Sequence, residues 1–146
     1  MSKLRVGIIG TGGRGIHCFG QTFVKAHADE VEIVALADSN LPRAKGAREA
    51  LGITCDVHDN AADLASRRDL DAVVVTTVDC MHEEHALLAL ENGKHVYIEK
   101  PLAITVEGCL NVIEASKRAG KVLSMGFNLR HNALVHKLRN LIAEGT

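Results

Sequence analysis

Apolar residues in this chain come in short runs that alternate with stretches patterned for helix. Leu4, Val6, Ile8 and Ile9 form a strand-length run that ends on glycines. Residues 14–27 read as a helix, and Val31–Ala37 as a second strand stopped by Asp38-Ser39-Asn40. Pro42 suits the first turn of the next helix, where its missing N–H is not needed. That helix runs to Leu51, with Gly52 as its stop. A weak strand follows at 53–57, then a short helix through Ala65 that Asn60 or Asp59 can cap. Ala72–Thr77 is a β-branched run of the kind buried on both faces of a parallel sheet. A helix over Met81–Glu91, a strand at His95–Ile98, a helix over Thr105–Ala119 and a strand at Val122–Met125 complete the alternation. Leu134, Val135, Leu138, Leu141 and Ile142 then recur at helical spacing.

Strands separated by helices predict right-handed crossovers in one parallel sheet. The fold class is therefore α/β: a Rossmann-type, doubly wound parallel sheet with helices on both faces, in strand order 3-2-1-4-5-6. Ligands of such a sheet bind at the carboxyl ends of strands 1 and 4, where the winding reverses.

Composition narrows the partners. At 146 residues, with 47% hydrophobic and 24% charged residues, the chain suits one domain with a substantial core. A net charge of −1 offers no bulk attraction to nucleic acid or an anionic membrane. No apolar run approaches bilayer-spanning length, and Met1-Ser2-Lys3-Leu4-Arg5 leaves no room for a signal peptide, so a cytoplasmic location is expected. Cysteines 18, 55, 80 and 109 are scattered without a Cys-x-x-Cys pair and read as reduced thiols. One Tyr, three Phe and no Trp argue against a base-stacking surface.

Candidate chemistry begins at Gly10-Thr11-Gly12-Gly13-Arg14-Gly15, which follows a strand and opens a helix. Gly10 would make the turn, Gly12 would let backbone approach a pyrophosphate, and Gly15 would let helix and sheet pack closely. The helix N-terminus would supply N–H groups and positive dipole charge to phosphates. Asp38, at the end of the second strand, is placed to accept ribose hydroxyls and to repel a 2′-phosphate, which favours NAD over NADP. Arg43 could rescue a 2′-phosphate but is expected on an exposed helix face.

Thr76 and Thr77 fall at the switch point and could touch a cofactor or simply end the strand. Asp79 is expected to cap the helix beginning near Met81. His82 could face the nicotinamide end, and His85 is expected on the helix surface. Their spacing is not that of H-E-x-x-H, and no metal site is expected. Lys100 ends the fifth strand on the ligand side, and the following proline keeps it extended. Burial beside a positive nicotinamide ring would disfavour its ammonium, allowing it to hold a substrate hydroxyl and share in proton transfer.

The segments Val6–Gly15, Asp38, Gly93-Lys94-His95-Val96 and Glu99-Lys100-Pro101-Leu102, with a tail beginning Gly126-Phe127-Asn128-Leu129-Arg130, resemble the Gfo/Idh/MocA oxidoreductases. The resemblance covers essentially the whole chain, and its Glu-Lys-Pro corner is more specific than its glycine loop. It implies oxidation of hydroxyls of sugars, cyclitols and related compounds, or reduction of the ketones, with NAD or NADP. Lys100 becomes the substrate-proximal catalytic lysine, and Gly10, Gly12 and Asp38 bind the adenine side. Thr76, Thr77, His82, Glu99 and Asn128 become candidates for the nicotinamide side, and a cis bond is implied before Pro101. Thr77-Val78-Asp79 departs from the family's common Thr-Pro-Asn, and Arg130-His131-Asn132-Ala133 from its Arg-Phe/Tyr-x-Pro. The resemblance divides the chain into a dinucleotide-binding domain, 1–126, and a segment, 127–146, leading toward a C-terminal substrate domain. Without that domain the chain is expected to bind cofactor weakly and turn over little, and relatives oligomerise through it. Two alternatives stand beside the dehydrogenase: a non-catalytic NAD-binding module or sensor, and a relative that cleaves glycosides through transient oxidation.

Overall fold

The computed structural model describes residues 2–145; Met1 and Thr146, at the outer limits of the two expected units, lie outside the described residues. Six parallel strands, β1 (Leu4–Ile9), β2 (Val31–Ala37), β3 (Asp56–His58), β4 (Ala72–Val75), β5 (His95–Ile98) and β6 (Leu123–Met125), form one sheet in the order β3-β2-β1-β4-β5-β6. This is the doubly wound order read from the pattern.

The period-2 alternation of the central strands sorts side chains into two cores. Val6 and Ile8 of β1 and Val74 of β4 join Ile16, Ala47 and Leu51 on one face. Ile9, Val73 and Val75 join Leu64, Ala86, Leu90 and Val112 on the other. The first face is covered by α1 (Gln21–Ala26) and α2 (Leu41–Leu51), the second by α3 (Ala61–Ala65), α4 (His82–Glu91) and α5 (Val106–Ala119). Full burial of each large aliphatic side chain stabilises by roughly 1.5–3 kcal/mol, so both faces are needed to offset the ordering of the chain.

Helix ends follow their local chemistry. The Asn40, Asn60 and Thr105 side chains accept backbone N–H groups from Arg43, Asp63 and Gly108, while Gly52 and Gly120 close α2 and α5 in the left-handed region. Of the two candidate caps for α3, Asn60 is the one used.

The first helix differs from expectation. Residues Arg14–Gly20 form a wide π-turn, which continues as α1 and ends at Ala26. β4 stops at Val75, which releases Thr76 and Thr77 into the crevice. The last helix, α6 (Ala133–Ala143), is exposed along its length, with Leu134, Leu138 and Ile142 facing solvent. No helix among the described residues is long and apolar enough to cross a membrane.

Candidate active site

The glycine turn connects β1 to the π-turn at the carboxyl edge of the sheet. Gly10 has φ of 95°, and a Cβ there would lie 2.7 Å from the Thr76 carbonyl group. A Cβ on Gly15 would meet the Gly10 carbonyl oxygen at 2.1 Å. At Gly12, in contrast, a Cβ would meet nothing within 4 Å. The turn is thus tight on its protein side and open at Gly12, where a pyrophosphate could approach. This geometry fits a dinucleotide. The helix behind it begins with N–H groups that lack intrahelical acceptors.

Asp38 is buried, and its two oxygens receive five hydrogen bonds. Oδ2 accepts from the Thr11 N–H and hydroxyl, each at 2.8 Å, and from Arg43 Nε at 2.9 Å. Oδ1 accepts from the Asn40 N–H at 2.9 Å and Arg43 Nη2 at 2.6 Å. Burial pushes this carboxyl up, but Arg43, Asn40 and Thr11 outweigh it and hold it at about 2. Arg43 does not simply project from an exposed helix face: half of its side chain is exposed, and its guanidinium closes over Asp38. The α2 N-terminus lies beside the end of β2, so a residue five positions along the chain folds back as a bidentate partner.

Across the crevice, Arg14 Nε donates to Glu99 Oε1 at 2.7 Å, and Nη2 lies 2.5 Å from the same oxygen. Glu99 is buried, and its Oε2 accepts the Lys100 N–H at 3.3 Å. The Lys100–Pro101 bond is cis. Lys100 itself is exposed, and its side chain has no hydrogen-bond or ion-pair partner among the described residues. Burial was expected around this lysine; this chain does not supply it, because β5 delivers Lys100 to the rim of the sheet.

Arg14, Thr76, Thr77, His82, Glu99, Lys100 and Asn128 line one cavity of about 360 Å³ together with Asp79. Lys100 and Asn128 also border a second cavity of about 470 Å³, which Phe127, Arg130, His136 and Arg139 help to line. All the residues expected at the nicotinamide side therefore converge, drawn from the segments that follow β4, β5 and β6 and from the start of α4. Thr11 and Gly13 sit in the turn itself, with Thr11 spent on Asp38.

Two local expectations are corrected. Asp79 makes no capping bond: Val78 is the cap residue, and Asp79 opens a 3-10 turn ahead of α4. His85 is buried rather than on the surface, because α4 lies flat on the sheet and turns this face inward. Burial, only partly opposed by Glu84, lowers its pKa, and its Nδ1 lies 3.1 Å from the Thr77 hydroxyl. His82 is almost fully buried, and its ring meets backbone: Nδ1 is 2.5 Å from the Pro101 carbonyl oxygen and Nε2 is 3.2 Å from that of Thr77. The Arg14–Glu99 and Asp38–Arg43 pairs were not read from sequence as pairs. No local spacing signals a contact between positions 85 residues apart.

The Gfo/Idh/MocA family model, described as "Oxidoreductase family, NAD-binding Rossmann fold", matches residues 4–127. The chain belongs to this family. Inositol 2-dehydrogenase 3 of Saccharopolyspora erythraea is 38% identical over 146 residues, covering 97% of this chain and 41% of that protein. An inositol 2-dehydrogenase/D-chiro-inositol 3-dehydrogenase of Halalkalibacterium halodurans is 35% identical over 147 residues, covering 95% of this chain and 40% of that protein. Among solved structures, the WlbA dehydrogenase of Chromobacterium violaceum, in complex with NADH and UDP-GlcNAcA, superposes with TM-score 0.86 at 30% identity. That match covers 97% of this chain and 40% of the WlbA chain. A 3-ketoreductase of Actinomadura kijaniata, in complex with TDP-benzene and NADP, gives TM-score 0.87 at 26% identity, covering 99% of this chain and 45% of its own. The Gfo/Idh/MocA chain described here thus spans about two fifths of the length of the curated relatives it matches.

Proposed function

We propose that this chain is the nucleotide-binding part of an NAD(P)-dependent dehydrogenase acting on hydroxyls of sugars, cyclitols or related compounds, with residues 127–146 leading toward a substrate domain. The observation that carries this reading is the convergence of Lys100 with Thr76, Thr77, Glu99 and Asn128 on one cavity beside an open glycine turn. The inositol dehydrogenases among its relatives support the cyclitol class.

NAD is the expected cofactor. Ribose hydroxyls can exchange with the Arg43 contacts on Asp38, whereas a 2′-phosphate approaches a buried carboxylate. Arg43 offsets part of that repulsion, which keeps NADP within reach. When bound, nicotinamide supplies hydride transfer. The chain's own residues do the rest: Gly12 leaves room for phosphate, and Arg14 fixes Glu99 beneath the corner. Lys100 Nζ, without a partner among the described residues, is able to hold a substrate hydroxyl and carry its proton.

Lys100→Met in the intact enzyme tests this. Turnover is expected to fall by roughly 10²–10⁴-fold, the usual contribution of a positioned acid–base group, with NAD affinity little changed. Retained turnover would remove Lys100 from the chemistry.

A further inference from the structure

The corner that presents Lys100 is held from two sides, and only one of them is an ion pair. On the amino side, Glu99 is anchored by Arg14. On the carboxyl side, the Pro101 carbonyl meets His82, a 1% exposed residue that opens α4. Pro101 has no N–H of its own, so its carbonyl is the one backbone group by which it can be tied.

A carbonyl oxygen only accepts, so a ring nitrogen 2.5 Å away must carry its proton. Both ring nitrogens face carbonyl oxygens, and the closer one has the stronger claim to a donated proton. The short contact identifies Nδ1 as that donor, leaving Nε2 at 3.2 Å from Thr77. The ring is therefore held by backbone at the wall of the cavity it helps to line. Next along α4, His85 holds the Thr77 hydroxyl, so two histidines grip the β4 exit and the Lys100 corner together.

We propose that His82 is a positioning residue: its Nδ1–H tautomer clamps the Pro101 carbonyl and so fixes where Lys100 stands. This assignment deepens the dehydrogenase reading and depends on it for its functional meaning.

The test uses the 146-residue chain. Long-range ¹⁵N–¹H spectra of the wild type are expected to show a slowly exchanging proton on His82 Nδ1. His82→Leu should speed hydrogen exchange at the Lys100 amide, and His82→Gln, which keeps a donor, should restore protection. NADH and 5′-AMP should both bind His82→Leu within about twofold of wild type, because the clamp acts on Lys100, whose loss leaves nucleotide affinity little changed. Circular dichroism and melting confirm that both variants fold. A proton on Nε2 with Nδ1 bare, or an unchanged Lys100 amide in folded His82→Leu, would overturn the proposal. If the wild type binds neither nucleotide, the cofactor reading fails, and the Nδ1 proton and Lys100 amide still decide the role of His82.

Discussion

Gly12 and Gly15 lie three positions apart in one turn and carry opposite costs. A methyl group at Gly15 would collide with backbone at 2.1 Å, whereas one at Gly12 enters open space. Gly15→Ala is therefore expected to destabilise the fold by roughly 1–3 kcal/mol, the range for forced overpacking, visible as a lowered melting temperature. Gly12→Ala should melt within about 0.5 kcal/mol of wild type. Its damage should appear only in nucleotide affinity, measured by titration with NADH. Equal thermal damage from both would mean that the Gly12 face is not a ligand face. Both glycines were legible in the sequence from their place between strand and helix. The sequence separated their tasks, Gly12 for ligand approach and Gly15 for close packing, but it could not name Thr76, which reaches the turn from 61 or more positions away, as part of what closes it.

At the scale of elements, the end of β2, the glycine turn and the start of α2 are joined through Asp38. Its folded pKa, about 2, lies below the usual 3.8, so the unfolded chain binds this proton more readily. The stabilisation is fully present above pH 3.8 and is lost as pH falls toward about 2. A buried carboxyl depressed to this degree contributes on the order of 2 kcal/mol. Arg43→Ala removes two of the five donors, and the acid-unfolding midpoint should move upward in pH. Fluorescence-monitored acid titration of wild type and variant checks this, and coincident midpoints would show that Arg43 adds nothing. Sequence spacing located Asp38 correctly because strand ends are marked by local polarity. The same reading put Arg43 on an exposed face, where it does lie, but missed its pairing with Asp38, because helix periodicity assigns a direction and not a partner. His85, by contrast, is buried where the surface is expected: the polar His-Glu-Glu-His start of α4 hides which side meets the sheet.

For the whole molecule, the two cores end before α6. That helix packs against the 3-10 turn Asn128–His131, and its apolar residues other than half-buried Leu141 remain exposed. A chain ending at Asn132 is therefore expected to keep its melting temperature within about 3 °C, less than a loss of 1 kcal/mol would produce in a chain of this size. Calorimetry checks this, and a larger drop would place α6 within the cooperative unit. Strand order, helix number and the Glu-Lys-Pro corner were all determined by the sequence alone. They depend on local alternation of apolar residues, on capping chemistry and on the handedness of crossovers, each of which is written in neighbouring positions. The tertiary structure alone decided that Arg14 secures Glu99, that Arg43 closes on Asp38, that Lys100 stands exposed, and that His82 turns its ring to backbone. Those outcomes arise where distant strand ends meet at one edge of the sheet. There, burial and unpaired donors and acceptors, rather than sequence spacing, choose the partners.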